Sequence, residues 1–168
     1  MSGVATDPAA PLAGETVDIR ADVTDTVAVT SVSVFWGTSQ FTLPNEIAMS
    51  PESGDTYVTD SQIPAHTAGT TVYYSIHATN ALPGTTVTDA ASYSLPFVVS
   101  VSEIQGTGTV SPYNGYAVIT HGVVTGSYGE LFSIQDGTGA RSGLWAATGA
   151  APALGDSVTI RGMVTENH

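Results

Sequence analysis

The chain has no cysteine and no lysine. Without thiols there is no disulfide, no zinc ribbon and no thiol catalysis. Positive charge is scarce: 3 arginines stand against 15 acidic residues, a net charge of −12, although only 11% of residues are charged. There are only four histidines, which further narrows the room for enzyme chemistry. No apolar run approaches the roughly 20 residues that a membrane helix needs, so no membrane span is expected. No signal peptide is visible: Met1-Ser2-Gly3 leads straight to Asp7-Pro8 with neither a basic region nor an apolar stretch. The expectation is that an export signal has been removed or that the sequence is a piece of something longer. Helical periodicity is nearly missing.

What is present points to a folded β protein. Hydrophobic residues make up 42% of the 168, enough for a packed core and against a disordered acidic tail. The 18 glycines and 9 prolines are scattered, which excludes a collagen repeat. The length suits one large domain or two small ones. An acidic, lysine-free, Thr/Ser/Val/Gly-rich composition fits a secreted or cell-surface bacterial or archaeal protein, so an extracellular location is expected.

Strand alternation is frequent. Val17, Ile19, Ala21 and Val23 alternate with polar neighbours, as do Val32, Val34 and Trp36, and Val72, Tyr74, Ile76 and Ala78. Val27 and Val29 stand in the opposite phase to Val32, which a bulge near Thr30-Ser31 reconciles. Weaker strands are expected near 47–50, 56–60 and 85–95. Turn signals separate them at Leu43-Pro44-Asn45, Ser53-Gly54-Asp55, Ala68-Gly69 and Leu82-Pro83-Gly84. Short strands spaced by turns read as an antiparallel β-sandwich. The opening Pro11…Gly14-Glu15-Thr16-Val17, the Val32–Trp36 strand and the run from Gly69 to Ala78 loosely resemble immunoglobulin-like and fibronectin-III-like modules of secreted bacterial proteins. That resemblance implies a spacer or binding module. The expected organisation is an N-terminal arm over residues 1–12, an Ig-like sandwich over 13–100 and a second module over 101–168. Residues 96–102 are expected to finish the sandwich and feed the second module.

The second half reads Glu103-Ile104-Gln105-Gly106, Ser111-Pro112, a strand with Val118, Gly122, Val123 and Val124, then Phe132-Ser133-Ile134-Gln135-Asp136-Gly137-Thr138-Gly139, Ser142-Gly143-Leu144-Trp145, and Gly155-Asp156-Ser157-Val158-Thr159-Ile160-Arg161-Gly162. This string resembles the OB-fold module of large secreted bacterial nucleases and phosphoesterases, whose catalytic domain lies elsewhere. Gly122 suits the sharp coil of a barrel's first strand and Gly162 a bend in its fourth. Asp136-Gly137 suits a tight hairpin. Val158, Ile160 and Val164 are expected on one face. The fold class expected is therefore all-β, an Ig-like sandwich followed by an incomplete OB-like barrel. Four strands are found and the fifth is missing, which leaves an edge open to strand addition. Continuation of the chain, or a neighbour's arm such as residues 1–12, would close it.

Few residues invite chemistry. His66, His77, His121 and His168 lack metal-ligand spacing. Asp18, Asp22 and Asp25 form the densest acidic cluster and suit a solvated face or a calcium site. Asp136-Gly137-Thr138-Gly139 has no Lys and no following helix, so a turn outweighs a phosphate or metal loop. No Gly-x-Ser-x-Gly, His-Glu-x-x-His or P-loop is present. No catalytic residue, metal or cofactor is expected, and the chain reads as non-enzymatic.

An OB-like face would offer Tyr128, Phe132, Arg141 and Trp145 as binding residues for single strands or sugars. Phe132 and Trp145 equally suit packing. Residues 101–168 carry Arg141 and Arg161 against Glu103, Glu130, Asp136, Asp156 and Glu166, a net −3, and the first half is −9. Such a chain repels polyanions, so nucleic acid is an unfavoured partner. The expected function is a structural or adhesive segment, open to self-assembly into filaments by strand exchange. Its partners would be copies of itself or neighbouring domains. The alternative is an accessory nucleic-acid- or carbohydrate-binding region of an extracellular nuclease or phosphoesterase.

Overall fold

The computed structural model describes residues 1–82, 85–88 and 90–166. Pro83-Gly84 of one expected turn, and His168, lie outside the described residues. Among the described residues the fold is all-β apart from one short helix, and the chain divides into two units, Met1–Leu95 and Pro96–His168.

The first unit holds β1 (Ser2–Asp7), β2 (Asp18–Asp22), β3 (Val29–Gly37), β4 (Asn45–Ser53), β5 (Thr56–Thr59), β6 (Thr71–Asn80), β7 (Thr85–Val87) and β8 (Ala91–Ser94). They form one eight-stranded sheet in the order β1-β2-β5-β4-β3-β6-β7, with β8 also on β6. The sheet curls, so the apolar phases of β2, β3 and β6 meet in one core. Val17, Ile19, Ala21, Val23, Val32, Val34, Trp36, Val72, Tyr74, Ile76 and Ala78 are all buried there. The register of β3 against β6 slips between Val29 and Ser31, the bulge that the opposed phases require. The segment 85–95 is two strands rather than one. Thr88 separates them: its N–H donates to the Ile76 carbonyl and its Oγ1 accepts the Ile76 N–H at 2.8 Å.

Residues 2–7 are not a free arm. They pair with β2 from Ser2↔Asp22 to Asp7↔Asp18. The Asp7 carboxylate accepts from Arg20 at 2.6 Å, and Arg20 also donates to Glu52 at 2.9 Å. Backbone bonding alone holds most of this strand, whose side chains are nearly all exposed. That is why it leaves no alternating signal in the sequence.

Tyr74 and Tyr93 face one another in this unit at 6.4 Å between ring centroids. Burial raises both phenols, and the nearby Tyr74 adds to the effect at Tyr93, which is pushed up to about 12. Ionisation is therefore held off in the folded state, whereas the unfolded phenols titrate near their ordinary value of about 10. The stability change has the matching sign: alkali weakens the fold as pH rises past the unfolded value. Ultraviolet titration of Tyr93→Phe against the parent should remove a phenol that ionises last. Loss of one that ionises near the ordinary phenol value of about 10 would contradict this packing.

The second unit holds β9 (Phe97–Val98), α1 (Val101–Gln105), β10 (Ala117–Tyr128), β11 (Leu131–Gln135), β12 (Gly143–Ala147) and β13 (Ser157–Met163). The sheet order is β12-β11-β10-β13, and β9 lies parallel on β10. Residues 96–102 thus belong with this unit instead of finishing the first. Phe97 is seated edge-on against Tyr113 and Tyr116. The helix starts from a capping box: Ser100 Oγ accepts the Glu103 N–H, and Glu103 accepts the Ser100 N–H at 2.8 Å. Those backbone and side-chain bonds from Ser100 hold the Glu103 carboxyl below its ordinary range.

The Asp136-Gly137 turn is longer than a tight hairpin. Asp136 N–H reaches the Ser142 carbonyl at 3.1 Å, and Ser142 Oγ donates to the Gly137 and Gly139 carbonyls. The Asp136 carboxylate accepts the Val101 N–H at 2.7 Å, so this loop holds the start of α1. The register of β10 against β11 slips between Val124 and Gly126, while Gly162 pairs with Val118 in an unbroken register. Val101, Val124, Phe132 and Ile134 form the core, with Leu144, Ala146, Val158 and Ile160 packed on it.

Candidate functional site

The second unit leaves both ends of its sheet open. Strands β12 and β13 are the outermost in the order, and among the described residues no strand pairs with the far edge of either. Both line one groove of about 910 Å³, with Leu144 and Trp145 from β12, Ile160 and Met163 from β13, Thr120 from β10 and Tyr128 at the end of β10. The inner side chains of a curled sheet form its floor: Leu144 and Ile160 are only partly buried, because among the described residues nothing spans the gap above them.

The edge of β12 can be read residue by residue. Antiparallel ladders alternate bonded and non-bonded pairs. Asp136 N–H bonds the Ser142 carbonyl and Thr148 N–H bonds the Glu130 carbonyl, each at 3.1 Å. Residues 144 and 146 share that phase and bond β11, so Gly143, Trp145 and Ala147 turn their N–H and C=O outward. The Gly143 carbonyl is taken by Gln105 Nε2 at 2.9 Å, which closes that end of the edge with α1. Trp145 and Ala147 remain as donors and acceptors along the groove.

Thr120 is the second feature. It is 3% exposed, and its Oγ1 has no hydrogen-bond partner among the described residues. A buried hydroxyl left without a partner costs about 1–3 kcal/mol. It lies at the same groove, on the inward phase that also carries Val118 and Val124.

The four binding residues expected from the sequence separate into three places. Tyr128 is 80% exposed and Trp145 61%, and both line the groove. Phe132 is a core residue, 4% exposed, because it sits on the inward phase of β11. Arg141 is away from the groove. It takes a left-handed backbone (φ 63) and its Nη1 donates to the carbonyls of Gln105, Gly106 and Gly108, so it binds the loop after α1. Thr120 and Gln105 escaped selection as site residues. The alternation through Val118 and Val124 places Thr120 on the buried face and was the available signal for it.

The other candidates do not converge. His77 packs on Phe35 at 4.4 Å, His66 meets Trp36 edge-on at 5.7 Å, and His121 is exposed. Asp18 accepts from Thr59 and Gln62, Asp22 from Thr56, and Asp25 from Asn80 and the Val27 N–H, so the acidic cluster is spent on separate cross-links. Among the described residues no group of three His, Asp or Glu side chains is placed to hold a metal ion. No helix among them is long and apolar enough to cross a membrane. No family model matches the chain, and neither a curated protein nor a solved structure matches it.

Proposed function

We propose that this chain is a non-catalytic structural or adhesive segment of a secreted or surface protein, Ig-like in its first unit and OB-like in its second, which engages an extended polypeptide strand in the second unit's groove. The observation that carries this reading is the pair of open strand edges, β12 and β13, lining one groove. A polypeptide backbone carries donors and acceptors on both sides, which is what two facing edges need. The lysine-free, thiol-free composition supports the extracellular setting. Self-assembly through residues 2–7 is disfavoured by their engagement in β1.

Amide hydrogen exchange tests the reading. The probe is a seven-residue peptide, Lys-Val-Ser-Thr-Ser-Val-Lys, capped at both ends. Trp145 and Ala147 amides should exchange fast in the protein alone and slow down on adding the peptide. A Trp145→Pro variant, which takes away the outward N–H of this edge position together with the exposed indole, should fold and lose the protection at the Ala147 amide. Unchanged exchange with saturating peptide would refute strand addition.

A second reading is carbohydrate binding, favoured by the exposure of Tyr128 and Trp145 on the same groove. It predicts that cellohexaose quenches Trp145 fluorescence without slowing the β12 amides.

A further inference from the structure

We propose that the strand received by this groove belongs to a cationic partner polypeptide, rather than to a second copy of the chain, and that it sets a Ser or Thr side chain against the Thr120 hydroxyl. The proposal rests on the strand-binding reading above and specifies the occupant.

Charge selects the partner. The chain carries −12 overall, and the second unit opposes five carboxylates to two arginines; the groove lining itself holds one of each, Arg161 and Glu166, so the field is that of the chain as a whole. Arg141 is already committed to three backbone carbonyls. A second copy would have to bring another −12 against this field, whereas a lysine- or arginine-bearing segment is drawn in by it. The strand of a second copy best suited by its exposure, β1, is moreover held by its pairing with β2 and by the Asp7–Arg20 ion pair.

Thr120 selects the side chain. The inward side chains of the neighbouring strands are apolar, Val118, Leu144, Ala146 and Ile160, while Gln105, Ser111, Arg161 and Glu166 supply polar groups elsewhere on the lining. A guest strand presents every second side chain to that lining. One of them meets a buried hydroxyl that has no partner among the described residues. An apolar guest residue there leaves the hydroxyl orphaned, whereas a guest hydroxyl both donates and accepts. The preferred guest face is therefore apolar, hydroxyl, apolar at positions i, i+2 and i+4.

Calorimetric titration of the full chain with four capped peptides tests both parts: Lys-Val-Ser-Thr-Ser-Val-Lys, its version with glutamate at both ends, its version with valine for the central threonine, and residues 2–7 of the chain itself. At about 10 mM ionic strength the lysine-flanked peptide should bind at least about tenfold tighter than the glutamate-flanked one, and the gap should close near 1 M, where the screening length falls to about 3 Å. The central threonine should bind about tenfold tighter than valine, the equivalent of about 1.4 kcal/mol. Thr120→Val should abolish or reverse that preference while the lysine-flanked valine peptide still binds. Equal affinity for the lysine- and glutamate-flanked peptides overturns the cationic partner and leaves strand addition standing. A threonine preference that survives Thr120→Val overturns the role of its hydroxyl. Tighter binding of residues 2–7 than of the lysine-flanked peptide overturns the choice against a second copy. Failure of every peptide to bind overturns the groove reading as a whole.

Discussion

Trp36→Ala should lower the unfolding free energy of the first unit by about 3–5 kcal/mol in urea denaturation. The indole is 9% exposed and belongs to the main core cluster, where it meets His66 edge-on. Its strand is sandwiched in the sheet: Trp36 stands opposite Asn45 on β4 and Tyr74 on β6, and Asn45 Nδ2 donates to the Trp36 carbonyl at 3.2 Å. Neighbours tied on both sides cannot collapse into the space, so the cavity term adds to the lost transfer term. Trp36→Phe should lose much less. The indole Nε1 is buried without a partner among the described residues, and phenylalanine removes that orphan donor along with some area. Trp145→Ala supplies the contrast, because a residue 61% exposed should change stability by no more than about 0.5 kcal/mol. A loss below about 1 kcal/mol for Trp36→Ala would mean that the indole does not fill the core.

The same residues show how much of the fold was legible in the chain. In the first unit, alternation located the strands that bury one face: the apolar phases of β2, β3 and β6 are all in the core, and the phase break at Val29 is a register slip. The strands that the pattern missed bury little. β1 is held by backbone bonds and one ion pair, which leave no periodic trace. β9 is two residues long and was absorbed into the end of the preceding segment. The helix α1 spans five residues, too short for a 3.6-residue repeat, although its Ser100…Glu103 capping box was there to be read.

The site was legible in part for a related reason. Exposed aromatics stand out in a sequence, so Tyr128 and Trp145 were found, whereas Phe132 was separated from them only by its inward phase. Arg141 drew attention as a scarce cation, but its partners are carbonyls, which no sequence pattern marks. The groove itself is a property of pairing. Which strands end a sheet depends on long-range order, and here the longest strand, β10, is shared between β11 and β13 and leaves both β12 and β13 outermost.

That central position of β10 sets up the other large effect, at Gly122. Its backbone does not need glycine for a left-handed conformation. It needs it for space: a Cβ there would lie 2.9 Å from the Gln135 carbonyl oxygen, 3.1 Å from its carbon and 3.2 Å from the Ile134 Cβ. Two of these three atoms are backbone, and Ile134 is fully buried in the core of the unit, so none is the far end of a flexible side chain. Nor can β10 retreat, because on its other side Gly122 pairs with Val158 of β13 in unbroken register. Gly122→Ala should therefore destabilise the second unit, and Gly122→Val should do so more, by about 2–3 kcal/mol or beyond. Hydrogen exchange locates the damage: protection should fall across β10, β11 and β13 and stay at parent values in β3 and β6. Gly162→Ala is the control, since nothing stands within 4 Å of a Cβ at that position. On the face of a strand with room, alanine adds β propensity over glycine, so stability there should hold or rise slightly. If Gly122→Val left the exchange of β10 unchanged, the close passage of β10 against β11 would be wrong, and with it the curl of the sheet that leaves the groove between β12 and β13.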